Sequence, residues 1–312
     1  ILTTYGTYGE KKLSILNNFG ESKNFNLGIY LDKTDGISIY PEGEEKDKYE
    51  LRSFSFDITE KYNETLFDFL LISSKQNTDL DGSGSDDLDY TGETLFNFLQ
   101  FTSETPFRNG KLFILSDLNN WDREYINGSE IDNYYSSTFH INTAYIYNNN
   151  TINNVFGYDH LFYKTDFDNR GSYNSSVDKH ASHQGIFNNT DLKLNKNINL
   201  SAGYRIDENS HFGNQSTYRA GLGYKINKIN FFNSFATGYK NPTLYEMYGA
   251  DNFGYKGNSK LKPETSFNSE IGLSYSYNSL DTKVSLFDTR IKDMIKYQSS
   301  SYINDTAGSS LM

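Results

Sequence analysis

Residues 257–264, with the sequence Gly-Asn-Ser-Lys-Leu-Lys-Pro-Glu, form a motif with distinctive glycine, proline and acidic positions. Residues 239–246, Tyr-Lys-Asn-Pro-Thr-Leu-Tyr-Glu, lie shortly before it. Proline fixes φ and interrupts strand pairing, and glycine at position 257 allows a tight chain reversal. Apolar and polar residues alternate on both sides of the motif, so the pattern predicts a structured loop between two β-strands.

Alternation with a period of two residues recurs along the chain. In residues 198–207 the even positions are apolar or aromatic and most odd positions are small or polar, and residues 139–147, 218–226 and 270–277 repeat the pattern. Strands of about 10 residues with one apolar face are typical of membrane β-barrels. Strands of soluble sandwiches are typically about 5–6 residues long. The pattern therefore favours an antiparallel transmembrane β-barrel.

The predicted connections alternate between short and long, as expected when a barrel has tight turns at one end and large loops at the other. A sandwich has no reason to keep that order. Short polar turns are predicted near residues 20–24, 61–64, 106–110, 148–150, 195–197, 227–228 and 278–281. Long loops are predicted near residues 36–48, 79–90, 126–133, 167–182, 208–216 and 240–265, with helix only as short pieces within loops.

The composition agrees with an all-β wall that has one polar and one aromatic-rich face. Hydrophobic residues make up 36% of the 312 residues, and aromatic residues 16%. Disordered chains are poor in aromatic residues, so the low hydrophobic content does not indicate disorder. We predict roughly 14–15 strands. An open wall leaves unpaired edges that lipid does not tolerate, so we expect residues 1–312 to be one partial barrel domain.

Several other classes of protein and site receive no support. The net charge of −11 argues against a nucleic-acid partner. No run of about 18 apolar residues indicates a transmembrane helix. The absence of cysteine excludes disulfides and thiolate metal sites. Because the sequence has neither a Gly-x-Ser-x-Gly motif nor a phosphate-binding loop, we expect no enzyme activity, no catalytic residues and no required cofactor.

Six segments, taken in order, resemble TonB-dependent outer-membrane receptors, closest to the cobalamin (vitamin B12) receptor-like branch. Residues 202–207 resemble the family's Gly-x-Arg-x-Asp segment, and residues 235–246 and 257–264 resemble its paired loop motifs, with Ser259 and Lys260 in place of Pro and Asn. Residues 5–9, 31–38 and 288–295 resemble strand ends of the same barrel. The loop residues that carry this resemblance are Lys240, Pro242, Glu246, Gly257, Asn258, Leu261, Pro263 and Glu264.

The resemblance implies a 22-stranded barrel with a plugged lumen, in the outer membrane of a Gram-negative bacterium. Such receptors import scarce nutrients, among them cobalamin and siderophores, with energy supplied by TonB. The implied partners are outer-membrane lipid, a small-molecule nutrient, and TonB through a plug that this sequence lacks. We also expect about seven further C-terminal strands to be absent.

The acidic segment of residues 79–89 is the best ionic site in the sequence. Five carboxylates within it repel one another unless they are solvated or bridged by a cation, and Ca²⁺ takes 6–8 oxygen ligands. The resemblance adds that cobalamin receptors bind calcium through acidic residues in this early loop. A solvated acidic loop is the alternative interpretation. The candidate calcium ligands are Asp79, Asp81, Asp86, Asp87 and Asp89.

Other candidate residues are assigned less specific roles. Loop aromatics Tyr245, Tyr248, Phe253 and Tyr255 could stack on a large planar ligand. The motif around Pro242 and Pro263 has either a structural or a substrate-contacting role, and Lys240, Glu246, Lys262 and Glu264 could form ion pairs that fix the loop. The pair His180 and His183 could hold a metal. Interfacial aromatic positions are predicted at Trp121, Tyr125, Tyr134, Tyr135, Phe162 and Tyr163.

Three functional hypotheses remain. The first is a TonB-energised importer of cobalamin, a siderophore or a similar chelate. The second is an outer-membrane barrel that binds or adheres without energised transport. The third is a barrel hydrolase, for which Ser182 and His183 provide too little.

Overall fold

The part of the chain that the structure describes forms a long series of β-strands and one short helix. The computed structural model describes residues 1–19, 24–38, 46–82, 87–169, 176–250, 254–305 and 309–311. The strands are β1 (Leu2–Tyr5), β2 (Lys11–Phe19), β3 (Asn24–Thr34), β4 (Tyr49–Tyr62), β5 (Thr65–Asp79), β6 (Tyr90–Phe107), β7 (Gly110–Asn127), β8 (Glu130–Asn148), β9 (Ile152–Asn169), β10 (Ser176–Lys193), β11 (Ile198–Asn209), β12 (Gly213–Ile226), β13 (Ile229–Lys240), β14 (Glu264–Tyr277), β15 (Leu280–Lys292), β16 (Met294–Gln298), β17 (Ser301–Asp305) and β18 (Ser309–Leu311). The helix α1 (Leu244–Tyr248) lies between β13 and β14.

The strands form one antiparallel meander. Strands β1 to β15 pair in sequence order and β18 joins β15, which makes a 16-stranded sheet. Strands β16 and β17 form a separate hairpin. The predicted all-β antiparallel fold is confirmed, and α1 lies in a loop as expected. Within the described ranges no helix is long and apolar enough to cross a membrane.

The two faces of the sheet differ in chemistry. We call one face of the sheet the outer face. A row of directly paired residues on it is apolar across five strands: Leu71, Leu99, Leu118, Phe139 and Phe162. We call the opposite face the inner face. A row of directly paired residues on it is mostly polar: Asn142, Asp159, Gly185, Asp207 and Gln215. Side chains alternate between faces along each strand, so the period-two pattern produces a lipid-compatible surface on one side and a polar surface on the other.

Tight turns join the strands at one end of the sheet, as predicted. Two residues join β4 to β5, β6 to β7, β12 to β13 and β14 to β15. The first turn residue has positive φ in each: Asn63, Arg108, Asn227 and Asn278. Such turns match the twist of paired strands, and asparagine adopts this conformation more readily than most residues. Asparagine at the first position therefore supports three of these turns, although none of the three asparagines is followed by glycine.

Two of the predicted long loops are wrong. Strands β7 and β8 are joined by residues 128–129 alone, and β11 and β12 by residues 210–212. In the second turn the Asn209 side-chain oxygen accepts hydrogen bonds from the backbone N–H groups of His211 and Phe212 at 2.8 and 3.2 Å. The residues around both connections are mostly polar, as loop residues usually are, but they continue the strand pairing. Residues 167–169 and 176–182 of the predicted loop at 167–182 belong to β9 and β10, and residues 170–175 lie outside the described residues.

Candidate functional site

The motif loop of residues 241–263 begins with a capped helix. The Thr243 hydroxyl accepts from the Glu246 backbone N–H at 3.1 Å, and the Glu246 carboxylate accepts from the Thr243 backbone N–H at 2.7 Å. This capping box satisfies backbone donors at the start of α1. Pro242, which has no N–H, lies immediately before the cap. Among the described residues Glu246 makes no ion pair, in contrast to the prediction, and its carboxylate caps the helix instead.

Gly257 brings the second half of the loop back onto the helix. Its N–H donates to the Gly249 carbonyl at 2.6 Å, and the Asn258 N–H donates to the Glu246 carbonyl at 2.9 Å. A Cβ at position 257 would lie 2.6 Å from the Met247 carbonyl carbon. Because backbone atoms cannot move aside as a flexible side chain can, only glycine fits this approach. The motif glycine therefore has a structural role.

The β16–β17 hairpin is tied to this loop by hydrogen bonds. Asn258 donates from its side chain to the Tyr302 carbonyl at 2.9 Å. Lys262 and Asn304 exchange bonds of 2.8 and 2.9 Å between the Lys262 backbone and the Asn304 amide. The Glu264 carboxylate accepts from the Ile295 N–H at 2.6 Å. We call residues 241–263 together with β16 and β17 the motif module.

One predicted ion pair fixes the base of the module. Lys240 lies 3.7 Å from Glu264, which confirms that part of the prediction. Lys262 contributes its backbone groups rather than an ion pair. Pro263 directly precedes β14 and ends the loop, and Leu261 is buried. The motif residues thus build the loop, in agreement with the structural interpretation.

The motif module packs on the inner face of β9 and β10. Leu244 and Met247 of α1 are buried, as are Phe167, Val177 and Ala181 on these strands. The Phe167 and Tyr245 rings lie 5.5 Å apart. Burying apolar side chains removes them from water, so this contact holds the module against the inner face, at the end opposite the tight turns. We call this end of the sheet the mouth.

Aromatic rings form a continuous arc around the mouth. Successive centroids are 5.0–6.5 Å apart, which is within the range of favourable aromatic contacts. The rings in order are Tyr90, Tyr125, Tyr134, Phe167, Tyr245, Tyr255 and Tyr302. The interfacial assignment of Tyr125 and Tyr134 is therefore wrong, because both face inward, and sequence alone does not show which face an aromatic residue takes.

The predicted ligand-stacking residues have different positions. Tyr245 and Tyr255 stack at 5.0 Å within the arc. Burial, with the neighbouring Tyr245 and Tyr302, raises the pKa of the Tyr255 phenol, so it stays neutral and donates to the Tyr245 carbonyl at 2.7 Å. Tyr248 lies outside the arc, beside His211. Phe253 lies outside the described residues.

A charged cluster lies on the inner face below the module. Arg205 donates to both oxygens of Asp159 at 2.7 and 2.9 Å and lies 2.5 Å from Asp207. The His183 Nε2 atom is 3.1 Å from Asp207 and 3.2 Å from Arg205. Asp207 is only 1% exposed. Such a carboxylate requires a close positive partner, and Arg205 provides it.

Sequence reasoning identified only part of this cluster. Arg205 and Asp207 belong to the motif at 202–207. His183 is a candidate metal ligand in the sequence, but with His180 as its partner, and Asp159 on β9 carries no local signal. The proposed pairing of His180 with His183 is wrong, since a spacing of three places them on opposite faces of β10. His180 instead packs against Phe162 at 5.8 Å on the outer face.

The cluster also has the composition of a metal site. Potential ligand atoms of Asp159, His183 and Asp207 all lie within 4.8 Å of one another. The Arg205 guanidinium lies among them and already supplies the positive charge.

The acidic segment does not gather its carboxylates. Asp87 accepts from the Asn127 side chain at 2.7 Å, Asp79 ends β5, and Asp89 is exposed. Both carboxylate oxygens of Asp81 are buried without a hydrogen-bond partner. Asp86 lies outside the described residues. Among those described, no three of these carboxylates meet within 4.8 Å.

Comparisons with known proteins agree with this architecture. Residues 3–311 match the family model described as TonB dependent receptor-like, beta-barrel. The vitamin B12 transporter BtuB of Vibrio vulnificus is 33% identical over 136 residues, which are 43% of this chain and 19% of that protein.

Solved structures share the fold at low identity. The siderophore receptor PirA of Pseudomonas aeruginosa aligns with a TM-score of 0.72 at 14% identity, over 96% of this chain and 57% of that one. The hemophore receptor HasR of Serratia marcescens aligns with a TM-score of 0.79 at 11% identity, over 99% and 58%. The chain thus spans little more than half of these receptors. It belongs to the family of TonB-dependent receptor β-barrels.

Proposed function

We propose that this chain is part of the wall and mouth of a receptor that takes up a small-molecule nutrient across a Gram-negative outer membrane with energy from TonB. The observation that carries the proposal is the motif module, which folds onto the inner face and completes the aromatic arc at the mouth. The apolar outer face suits lipid. Cobalamin, siderophores and similar chelates are the candidate ligands.

The test is uptake by cells that express the full-length protein. Labelled cyanocobalamin, ferric siderophores and haem would be offered to matched strains with and without TonB. We expect accumulation of one ligand only in the strain with TonB. Binding of a ligand at the surface with equal, TonB-independent accumulation would instead support a binding or adhesion barrel.

We also propose that the acidic segment binds calcium, with Asp81 as the central ligand. Its two buried oxygens lack a partner, which is costly for a carboxylate unless a cation is nearby, and the Asp87 carboxylate lies close to the adjacent Gly82. The described donors alone do not form a complete calcium shell, which needs 6–8 oxygens. Asp86 and backbone carbonyls would have to add to them.

Calcium should therefore raise the thermal midpoint of the full-length protein, and Asp81→Asn should remove most of that shift. Asn keeps the size of the side chain but loses the charge that a hard cation requires. Asp281→Asn is the matched control, because Asp281 is exposed on β15 and lies outside the acidic segment. Equal calcium responses in Asp81→Asn and the unmodified protein would contradict the proposal.

A further inference from the structure

The wall splits near the mouth between β12 and β13. These strands pair only over Arg219–Ile226 of β12, although β13 continues to pair with β14 as far as Lys240. The Thr237 hydroxyl takes the place of the missing strand, since it accepts from the Tyr218 N–H at 2.9 Å and donates to the Tyr218 carbonyl at 3.3 Å. Backbone groups of alternate residues point the same way, so the Ser216 N–H also faces the split, where no described backbone group pairs with it.

The end of β13 beyond the split is displaced toward the inner face. Tyr239 is paired with Thr265, which faces outward on β14, yet the Tyr239 ring lies 6.4 Å from the ring of His183 on the inner face. The displacement leaves a groove of about 420 Å³ on the outside of the wall, which we call the outer groove. Among the residues that line it are Ser216, Tyr218, Phe267, Arg290 and Lys292.

The outer groove lies at the edge of the apolar band that is nearer the mouth. Arg290 follows Leu280, the first residue of β15, by 10 residues, which corresponds to about 33 Å of strand. Strands of membrane barrels are tilted by about 35–45°, which places Arg290 roughly 25 Å above the tight turns. The apolar band of such barrels is also about 25 Å tall. Arg290 and Lys292 therefore lie at the level of the lipid headgroups.

The outer groove combines positive charge with an apolar surface below it. One nitrogen of Arg290, Nη2, lies 2.7 Å from Asp288, so the other N–H donors of the guanidinium remain available. Lys292 is exposed and makes no ion pair with any described residue. Closer to the tight turns the same face is apolar, since the directly paired Ile271 and Leu286 are both exposed. Cations above apolar side chains match the order of headgroup and acyl chains in a lipid.

We propose that the outer groove binds the phosphate group of a phosphorylated lipid from the mouth-side leaflet. Arg290 and Lys292 bind the phosphate, the Ser216 N–H donates to it, and the acyl chains lie along Ile271 and Leu286. Charge-assisted hydrogen bonds to phosphate are strong, and the phosphate supplies the acceptor that an unpaired backbone edge needs beside a membrane. This inference rests on the outer-membrane location in the proposed function, but it does not involve the nutrient, because the groove is on the outside of the wall.

The test measures lipid binding to the full-length receptor in detergent by native mass spectrometry. Diphosphoryl lipid A is the probe, and the same lipid without its phosphates and inorganic phosphate alone are the comparisons. We expect tight binding of the phosphorylated lipid only. Arg290→Gln with Lys292→Gln should weaken that binding by about tenfold or more, because charge-assisted hydrogen bonds to the phosphate are lost.

Lys33→Gln with Arg52→Gln is the matched control. Both side chains lie on the outer face near the mouth, on β3 and β4, away from the outer groove. Arg52 lies as many residues from its tight turn as Arg290 does, and it also contacts a carboxylate two residues away in the sequence. The control removes the same charge at the same height, so it should leave lipid binding unchanged.

Three results would overturn the inference: equal binding by the two double variants, equal binding of the lipid without phosphates, or displacement of the lipid by an equal concentration of inorganic phosphate. The last result would identify a site for free phosphate instead. TonB-dependent uptake with any of these results would leave the proposed function standing. TonB-independent accumulation of every labelled nutrient, with lipid binding as expected, would overturn the proposed uptake and leave the lipid site standing.

Discussion

Replacing Arg205 with alanine should destabilise the full-length protein by about 3–5 kcal/mol, the usual cost of removing one partner from a buried ion pair. Asp207 is 1% exposed and depends on Arg205 at 2.5 Å, and Asp159 shares the same guanidinium. Without Arg205 the inner face would hold two close carboxylates with no strong cation. Urea unfolding in detergent or lipid would measure the loss.

The matched comparison also neutralises Asp207, the buried carboxylate that Arg205 balances. Arg205→Ala with Asp207→Asn should recover part of the lost stability, because a neutral amide is less costly to bury than an unpaired carboxylate. Millimolar Zn²⁺ should also stabilise Arg205→Ala, since Asp159, His183 and Asp207 then surround a vacant cation position. If the single and double variants are equally unstable, packing rather than charge explains the role of Arg205.

Substituting Gly257 with valine should displace the motif module and abolish high-affinity ligand binding. Even a Cβ at this position would lie 2.6 Å from backbone atoms of Met247 and Tyr248. Overpacking of this kind costs about 1–3 kcal/mol, and here the cost falls on one loop rather than on the sheet. Hydrogen exchange should therefore accelerate at residues 244–248 and 257–262 but not in the paired strands.

Gly223→Ala provides the control for this substitution. Its new Cβ would meet its nearest atoms at 3.9 Å, an ordinary contact, on the same inner face. We expect exchange and binding close to those of the unmodified protein. Unchanged exchange in the module of Gly257→Val would show that the helix and the returning loop accommodate the larger side chain without opening, and would remove the structural role assigned to this glycine.

The sequence determined the wall of the protein and the course of its chain. Alternation at residues 198–207 and 218–226 corresponds to β11 and β12, because period two is the geometric property of a strand. The polar turns at 61–64 and 227–228 were located because a hairpin turn interrupts that alternation. The motif at 257–264 predicts a structured loop between two strands and leaves its role open, and Gly257 permits the close return of the loop.

Only the tertiary structure decided which residues meet. Asp159, His183 and Arg205 come from three strands, and their contact depends on register, which local sequence does not encode. The inward position of Tyr125 and Tyr134 also depends on how far strand pairing extends beyond the apolar band. The same holds for the two short connections at 128–129 and 210–212. Local alternation sets the faces of each strand, whereas the ion pairs and the aromatic arc depend on contacts between distant segments.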